Sequence, residues 1–188
     1  YDFDGTKYIT FGFAPEKTFV RCIKFDGTDD YLDAGKVLNL NTAFTVSAWV
    51  NRNSTNKTIL SKRNSGFSEG YDLSINTAGR AEMSWMVGST KHTITSSAVI
   101  PAGTWHHIGV IYNGTTAKMY IDGITNVSAS MPNVPSTTQS FLIAAADGVT
   151  PTALFNGSID EVRVWDVALS EAQFRYVINQ EIQKNGTL

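Results

Sequence analysis

Two acidic segments, one cationic loop and three histidines carry most of the chemistry that this 188-residue chain could perform. FDGTDDY places Asp26, Asp29 and Asp30 beside Gly27, which lets backbone carbonyls turn inward. Oxygen-rich loops of this kind suit calcium, which takes about six to eight oxygen ligands. Asp160, in SIDEVRVW, is a further carboxylate far away in sequence. The plain alternative is that Asp26-Gly27 is only a turn and that Asp29 and Asp30 are solvated. The segment from Arg52 to Tyr71 gathers a different set: cationic donors (Lys62, Arg63), amides (Asn53, Asn56, Asn64) and a ring (Phe67). Gly66 and Gly70 permit unusual backbone angles there. Rings stack on the apolar faces of pyranoses while amides and charges fix hydroxyls, so this loop reads as a sugar-contacting rim. An acidic sugar would pair with Lys62 or Arg63 and stack on Phe67 or Tyr71. The competing reading is that the Lys62 and Arg63 stems cover apolar surface.

Catalysis finds little support. His106 and His107 are adjacent in a strand, so they point to opposite faces and cannot share a metal. Neither HExxH nor GxSxG occurs. Glycoside cleavage needs two carboxyls facing one bond, roughly 5–10 Å apart. Asp160 and Glu161 are consecutive and diverge, and the position alternate to Asp160 is Val162. Glu161 and Arg163 share a face and pair there.

The elements that must carry these groups are strands. TVSAWV, YDLSI, AEMSWMV, HHIGVIY, AKMYID and SFLIAAA are bounded by turn residues, among them the hairpin signals Asn113-Gly114 and Asp122-Gly123. Alternation predicts a core built from Val46, Ala48, Val50, Ile108, Val110, Tyr112, Met119 and Ile121. Trp85 shares a face with Met83 and Val87, and Tyr71 with Leu73 and Ile75. Those faces are either core or the concave sheet, where Trp85 would be a further ligand platform. In GSIDEVRVW, period two groups Ile159, Glu161, Arg163 and Trp165 on one face and Asp160 with Val162 and Val164 on the other. The rhythm then changes. Ser170 and Gln173 form a capping box that predicts a short C-terminal helix. The fold class is therefore all-β: two antiparallel sheets and one late helix.

Five segments also resemble a known family. In chain order they are KFDGTDDYLDAG (24–35), FTVSAWV (44–50), ILSKRNSGFSEGYDLSI (59–75), GTWHHIGVIYNGTTAKMYIDG (103–123) and GSIDEVRVWDVALSEAQF (157–174). Together they are similar to the laminin G-like domains of the concanavalin A-like lectin/glucanase superfamily. The resemblance implies a jelly-roll β-sandwich and covers most of the chain. It also implies a structural calcium between the FDG loop and the IDE strand, held by Asp26, Asp160 and either Asp30 or Asp29. The superfamily holds adhesion modules, sugar binders and enzymes on one scaffold. Its glycosidases carry acids at alternate strand positions, a pattern SIDEVRVW lacks. The expectation is a non-catalytic carbohydrate-binding or adhesion module of a secreted or cell-surface protein, with a glycan as partner. A structural or protein–protein module is the alternative, and a polysaccharide-degrading enzyme comes third.

Composition agrees with this reading. Apolar residues are 42%, charged residues only 17%, and the net charge is −2. With no basic block, nucleic acid is not an expected partner. No apolar run reaches the ~20 residues of a membrane helix. No leader pattern is visible, so the chain reads as a mature product or as part of something longer. Cys22 is the single cysteine, which rules out an internal disulfide and predicts a small buried hydrophobe. The expected domain is 22–180. Residues 1–21, where FDGTKYITFG echoes FDGTDDYLDAG, form an extension, an extra edge strand or the remnant of a neighbouring repeat. Residues 181–188 form a tail or linker.

Overall fold

Period-two alternation builds two six-stranded antiparallel sheets in the computed structural model, which describes residues 22–147 and 149–180. The segments 1–21 and 181–188 lie outside the described residues. The strands are β1 (Ile23–Asp26), β2 (Leu32–Asp33), β3 (Phe44–Arg52), β4 (Lys57–Arg63), β5 (Gly70–Ile75) and β6 (Arg80–Val87). They continue as β7 (Thr90–Val99), β8 (His106–Tyr112), β9 (Thr116–Ile121), β10 (Ile124–Ser130), β11 (Leu142–Ile143) and β12 (Asn156–Trp165), followed by helix α1 (Glu171–Ile178). The first sheet has the order β1-β12-β3-β8-β9-β10 and the second β2-β11-β4-β5-β6-β7. This is the expected jelly-roll sandwich. Asp122 and Gly123 both have positive φ (+52° and +75°), as a tight hairpin turn between β9 and β10 requires.

The core lies between the sheets, where alternation puts it. Val46, Ala48, Val50, Ile108, Val110, Tyr112 and Met119 are fully buried, and Ile121 packs against them. Cys22 is only half-buried at the entry to β1, so it is not the core hydrophobe expected of it.

A bulge in β12 overturns one expectation. Register with β3 jumps from Asp160↔Trp49 to Arg163↔Ser47, so Glu161 and Val162 together oppose Ala48. Glu161 takes φ +51°, a left-handed angle rare for a residue with a Cβ. The extra residue resets the phase. Ile159, Val162 and Val164 all pack on the core. Asp160 pairs with the outward Trp49, not with the face of Val162 and Val164. Glu161 and Arg163 do pair, at 2.6 Å, with both side chains nearly buried.

The helix starts as its capping box predicts: the Gln173 amide donates to Ser170 Oγ, and the Ser170 amide to Gln173 Oε1. It lies on the outer face of the first sheet. Phe174 packs there against Tyr120 and His107, with ring centroids 4.8 and 5.4 Å away. Gly109 makes room for it, since a Cβ at that position would come within 2.2 Å of the Phe174 ring. Trp49 Nε1 donates to the Ile178 carbonyl, and the Arg163 guanidinium donates to the carbonyls of Val177 and Gln180. The helix end is thereby satisfied and fastened to β12. No helix among the described residues is long and apolar enough to cross a membrane.

Candidate functional site

Among the described residues no helix covers the outer face of the second sheet, and its sequence is polar. Tyr71, Leu73 and Ile75 of β5 and Ala81, Met83 and Trp85 of β6 point into the core. Their alternates Asp72, Ser74, Glu82, Ser84 and Met86 therefore face outward. Register aligns Ser61, Asp72, Ser84 and Thr93 in one row across β4 to β7. In the next row Arg63 faces Gly70, and Met86 faces Lys91.

Charges and hydroxyls interlock on this face. Arg63 Nε donates to Asp72 Oδ2 at 3.0 Å, with the two side chains 12% and 8% exposed. Lys91 Nζ lies 3.3 Å from Glu82 Oε1. Glu82 Oε2 also accepts from Thr95 Oγ1 and Asn76 Nδ2. Ser84 and Thr93 share a hydrogen bond of 3.0 Å. Burial pushes the Asp72 carboxyl up to about 6, and Glu82 adds to this, while Arg63 and Lys91 oppose it. Its Oδ1 is buried without a hydrogen-bond partner. A buried acceptor left unpaired is costly.

Phe67 stands over this network. It sits in the β4–β5 loop with φ +45°. Its ring centroid is 4.5 Å from Arg63 Cζ and 5.1 Å from Lys91 Nζ, so cations from two strands three places apart meet at one ring. The loop is held at both ends. Asn64 Oδ1 accepts the Ser68 amide at 2.9 Å, and Phe67 donates its amide to the Asn64 carbonyl. Glu69 accepts from Gln139 Nε2 at 2.6 Å and Thr137 Oγ1 at 2.8 Å. Gly70 must be glycine: at φ +85°, a Cβ would lie 1.9 Å from the Lys62 carbonyl oxygen.

Of the rim residues expected to contact a ligand, the structure brings Arg63 and Phe67 together and places the other three inside. Lys62 is fully buried and donates to the Gln139 carbonyl; burial, with Lys36 nearby, lowers its ammonium, while Glu69 raises it. Tyr71 is 1% exposed, with its hydroxyl on the Leu38 carbonyl and its phenol pushed up by burial. Trp85 is fully buried against Phe44 and Tyr112, and its Nε1 donates to the Pro132 carbonyl. None of these three offers a ring face or a charged head to solvent, and Trp85 faces the core rather than an exposed concave sheet. Asp72, Glu82 and Lys91 were not singled out from the sequence. For Asp72 and Glu82 the signal was available, because they alternate with the core-facing residues of YDLSI and AEMSWMV.

The proposed metal ligands divide in two. Asp30 Oδ2 accepts the Asp26 amide at 3.2 Å, and Asp26 Oδ1 accepts the Thr28 amide at 2.7 Å, so these two carboxylates share one loop. Each keeps one oxygen outside those bonds. Asp160 lies elsewhere. β1 pairs Asp26 with Asn156, four residues along β12 and so roughly 13 Å from Asp160. Asp160 Oδ1 accepts the Glu161 amide within the bulge. Among the described residues no three His, Cys, Asp or Glu side chains converge as a metal site. Asp160 and Glu161 instead border a cleft of about 190 Å³ at the open edge between the sheets, lined by Ile23, Phe25, Leu32 and Ile143.

The histidines diverge as expected. His106 Nδ1 meets Asp122 Oδ2 at 2.9 Å and its Nε2 meets Thr104 Oγ1 at 3.0 Å, while Asp122 Oδ1 accepts the His107 amide. This carboxylate ties the start of β8 to the β9–β10 turn. His107 is buried beside Trp49 and Phe174.

The laminin G 3 family model, described as concanavalin A-like lectin/glucanases superfamily, matches residues 26–174, and the chain belongs to this family. A comparison with curated proteins finds no match. Among solved structures, the chain is similar to domain 4 of AbnA, a GH43 extracellular arabinanase from Geobacillus stearothermophilus, in complex with arabinotriose. Identity is 21%, TM-score 0.69, and 86% of this chain and 78% of that one are covered. It is similar also to the CBM40 of the Ruminococcus gnavus IT-sialidase bound to α2,3-sialyllactose, at 18% identity and TM-score 0.70, covering 83% and 95%. A third likeness is the SAP-like pentraxin of Limulus polyphemus, at 18% identity and TM-score 0.62, covering 82% and 79%. Likeness at this identity concerns the fold.

Proposed function

We propose that the chain is a non-catalytic glycan-binding module that presents the outer face of its second sheet to an extracellular or cell-surface polysaccharide. The observation that carries this reading is the contrast between the faces. One is covered by α1, while the other holds Phe67 among side chains locked in place by Arg63, Asp72, Glu82 and Lys91. Preorganised polar groups around an aromatic ring suit hydroxyl-rich ligands. The arabinotriose and sialyllactose complexes of similar folds support the ligand class. The lack of catalysis rests on Glu161 being engaged with Arg163 and Asp160 being turned into its own bulge. A glycan array followed by calorimetry tests the reading. Phe67→Ala weakens binding about tenfold, the scale of one lost stacking contact. An array on which no glycan is retained favours the alternative, a structural or protein–protein module.

Calcium belongs to the same proposal as a stabiliser of the β1–β2 loop, with Asp26, Asp30 and loop carbonyls as the ligand set. A cation bound only by the folded chain raises its stability by mass action. EDTA then lowers the melting temperature by about 5 °C, and Asp30→Ala removes the sensitivity. An unchanged melting curve, with no metal in elemental analysis, refutes calcium and leaves the glycan site untouched.

A further inference from the structure

On the reading that the outer face of the second sheet binds glycans, we propose that its ligand is anionic, a carboxylated or sulfated oligosaccharide gripped between Arg63 and Lys91 across the Phe67 ring, and that Asp72 competes with it for Arg63.

The argument starts from charge. Arg63 and Lys91 come from β4 and β7, yet both lie within about 5 Å of the centre of one ring. Like charges sharing one ring repel, and an anion within reach of both relieves the repulsion. Within the chain the relief is internal: Asp72 sits on Arg63 and Glu82 on Lys91, so the four charges cancel. The two acids are not equivalent. Glu82 accepts from Lys91, Thr95 and Asn76 and is well satisfied. Asp72 has one oxygen on Arg63 and the other buried with no partner. Arg63 has five N–H groups, of which Nε and Nη1 serve Asp72 and the Asn64 carbonyl. A planar guanidinium prefers a carboxylate or sulfate that can take two parallel hydrogen bonds. Asp72 is thus a partly satisfied counter-ion in place for Arg63.

The charged groups acting on Asp72 come from three strands: Arg63 on β4, Glu82 on β6 and Lys91 on β7. Ser61 and Ser84 flank it without charge. Because its carboxyl titrates near 6, mild acid removes its charge while a sugar carboxylate or sulfate keeps its own. Arg63 is then unopposed, and the face turns from neutral to net cationic.

The test is calorimetry against matched glycans that differ only in charge, such as oligogalacturonate and its methyl ester, or sulfated and unsulfated oligosaccharides, between pH 7.5 and 5. The expected result is that charged members bind, and bind more tightly at pH 5 by up to about 30-fold, the ratio of protonated fractions for a group titrating near 6. Neutral members show no such slope. Asp72→Asn gives at pH 7.5 the affinity that the unaltered chain reaches at pH 5, and flattens the profile. Lys91→Ala, at a side chain 45% exposed, leaves the melting temperature unchanged and weakens charged glycans only, so the inference stands or falls even if Asp72→Asn does not fold. Binding of neutral glycans alone, or a flat pH profile for charged ones, overturns this inference and leaves the glycan reading in place. No binding by any member overturns both.

Discussion

The two outer faces of this sandwich are built from strands of the same rhythm and come to opposite ends. On the first sheet the outward positions include Trp49, Ile111 and Tyr120, and α1 lays Phe174 and Ile178 upon them to form a second apolar cluster. On the second sheet the outward positions are Asp72, Glu82, Ser84, Met86, Lys91 and Thr93, and no helix among the described residues covers them. The period of a strand therefore says only that two faces exist. What fills the outward positions says which face the helix packs on.

Breaking the covered face has the largest expected effect. Phe174→Ala removes a fully buried ring that touches Tyr120 and His107, and costs about 3–5 kcal/mol in chemical denaturation. Glycan affinity at the opposite face is unchanged. If affinity falls in step with stability, the faces are coupled and the comparison fails.

The open face responds in the other direction. The Asp72 carboxyl titrates near 6 when folded and near 3.8 otherwise, so between those values the folded chain binds more protons than the unfolded one. Stability from this group is greatest below the lower value and is lost as pH rises through 6, opposite to the usual behaviour of a salt-bridged aspartate. Asp72→Asn therefore raises stability at pH 7.5 by up to about 3 kcal/mol and flattens the profile between pH 4 and 6. Urea melts across that window measure it. A variant less stable than the parent at pH 7.5 would show that the Arg63 pair outweighs burial.

The smallest change in stability is at the ring itself. Phe67 is only half-buried in a loop, so Phe67→Ala costs less than about 1 kcal/mol of stability while reducing glycan affinity. A large loss of stability would make Phe67 a core residue and remove it from the site.

Much of the architecture was legible in the sequence because it is local. Strand alternation located Val46 through Ile121 in the core, and Ser170 with Gln173 announced α1. The bulge was not legible. Period two assumes one residue per step, and the extra residue at Glu161 shows itself only in register with β3. That single offset moved Asp160 from the face assigned to it. The candidate site was half legible. Arg63 and Phe67 lie four residues apart, but Lys91 reaches Phe67 only after β5, β6 and β7 have paired. Lys62 and Tyr71 looked like rim residues because their polar ends are visible in sequence and the carbonyls of Gln139 and Leu38 that receive them are not.

The pairing of β1 with β12 also has a mechanical consequence. The strands are antiparallel, so the point where the chain enters β1 and the point where it leaves β12 lie toward the same end of the ladder. Tension drawing the two ends of the domain apart first lifts α1 against the grip of Arg163. It then opens the four β1–β12 residue pairs one after another, like a zipper, rather than shearing them together. Under tension the domain is therefore expected to open first from its β1 edge.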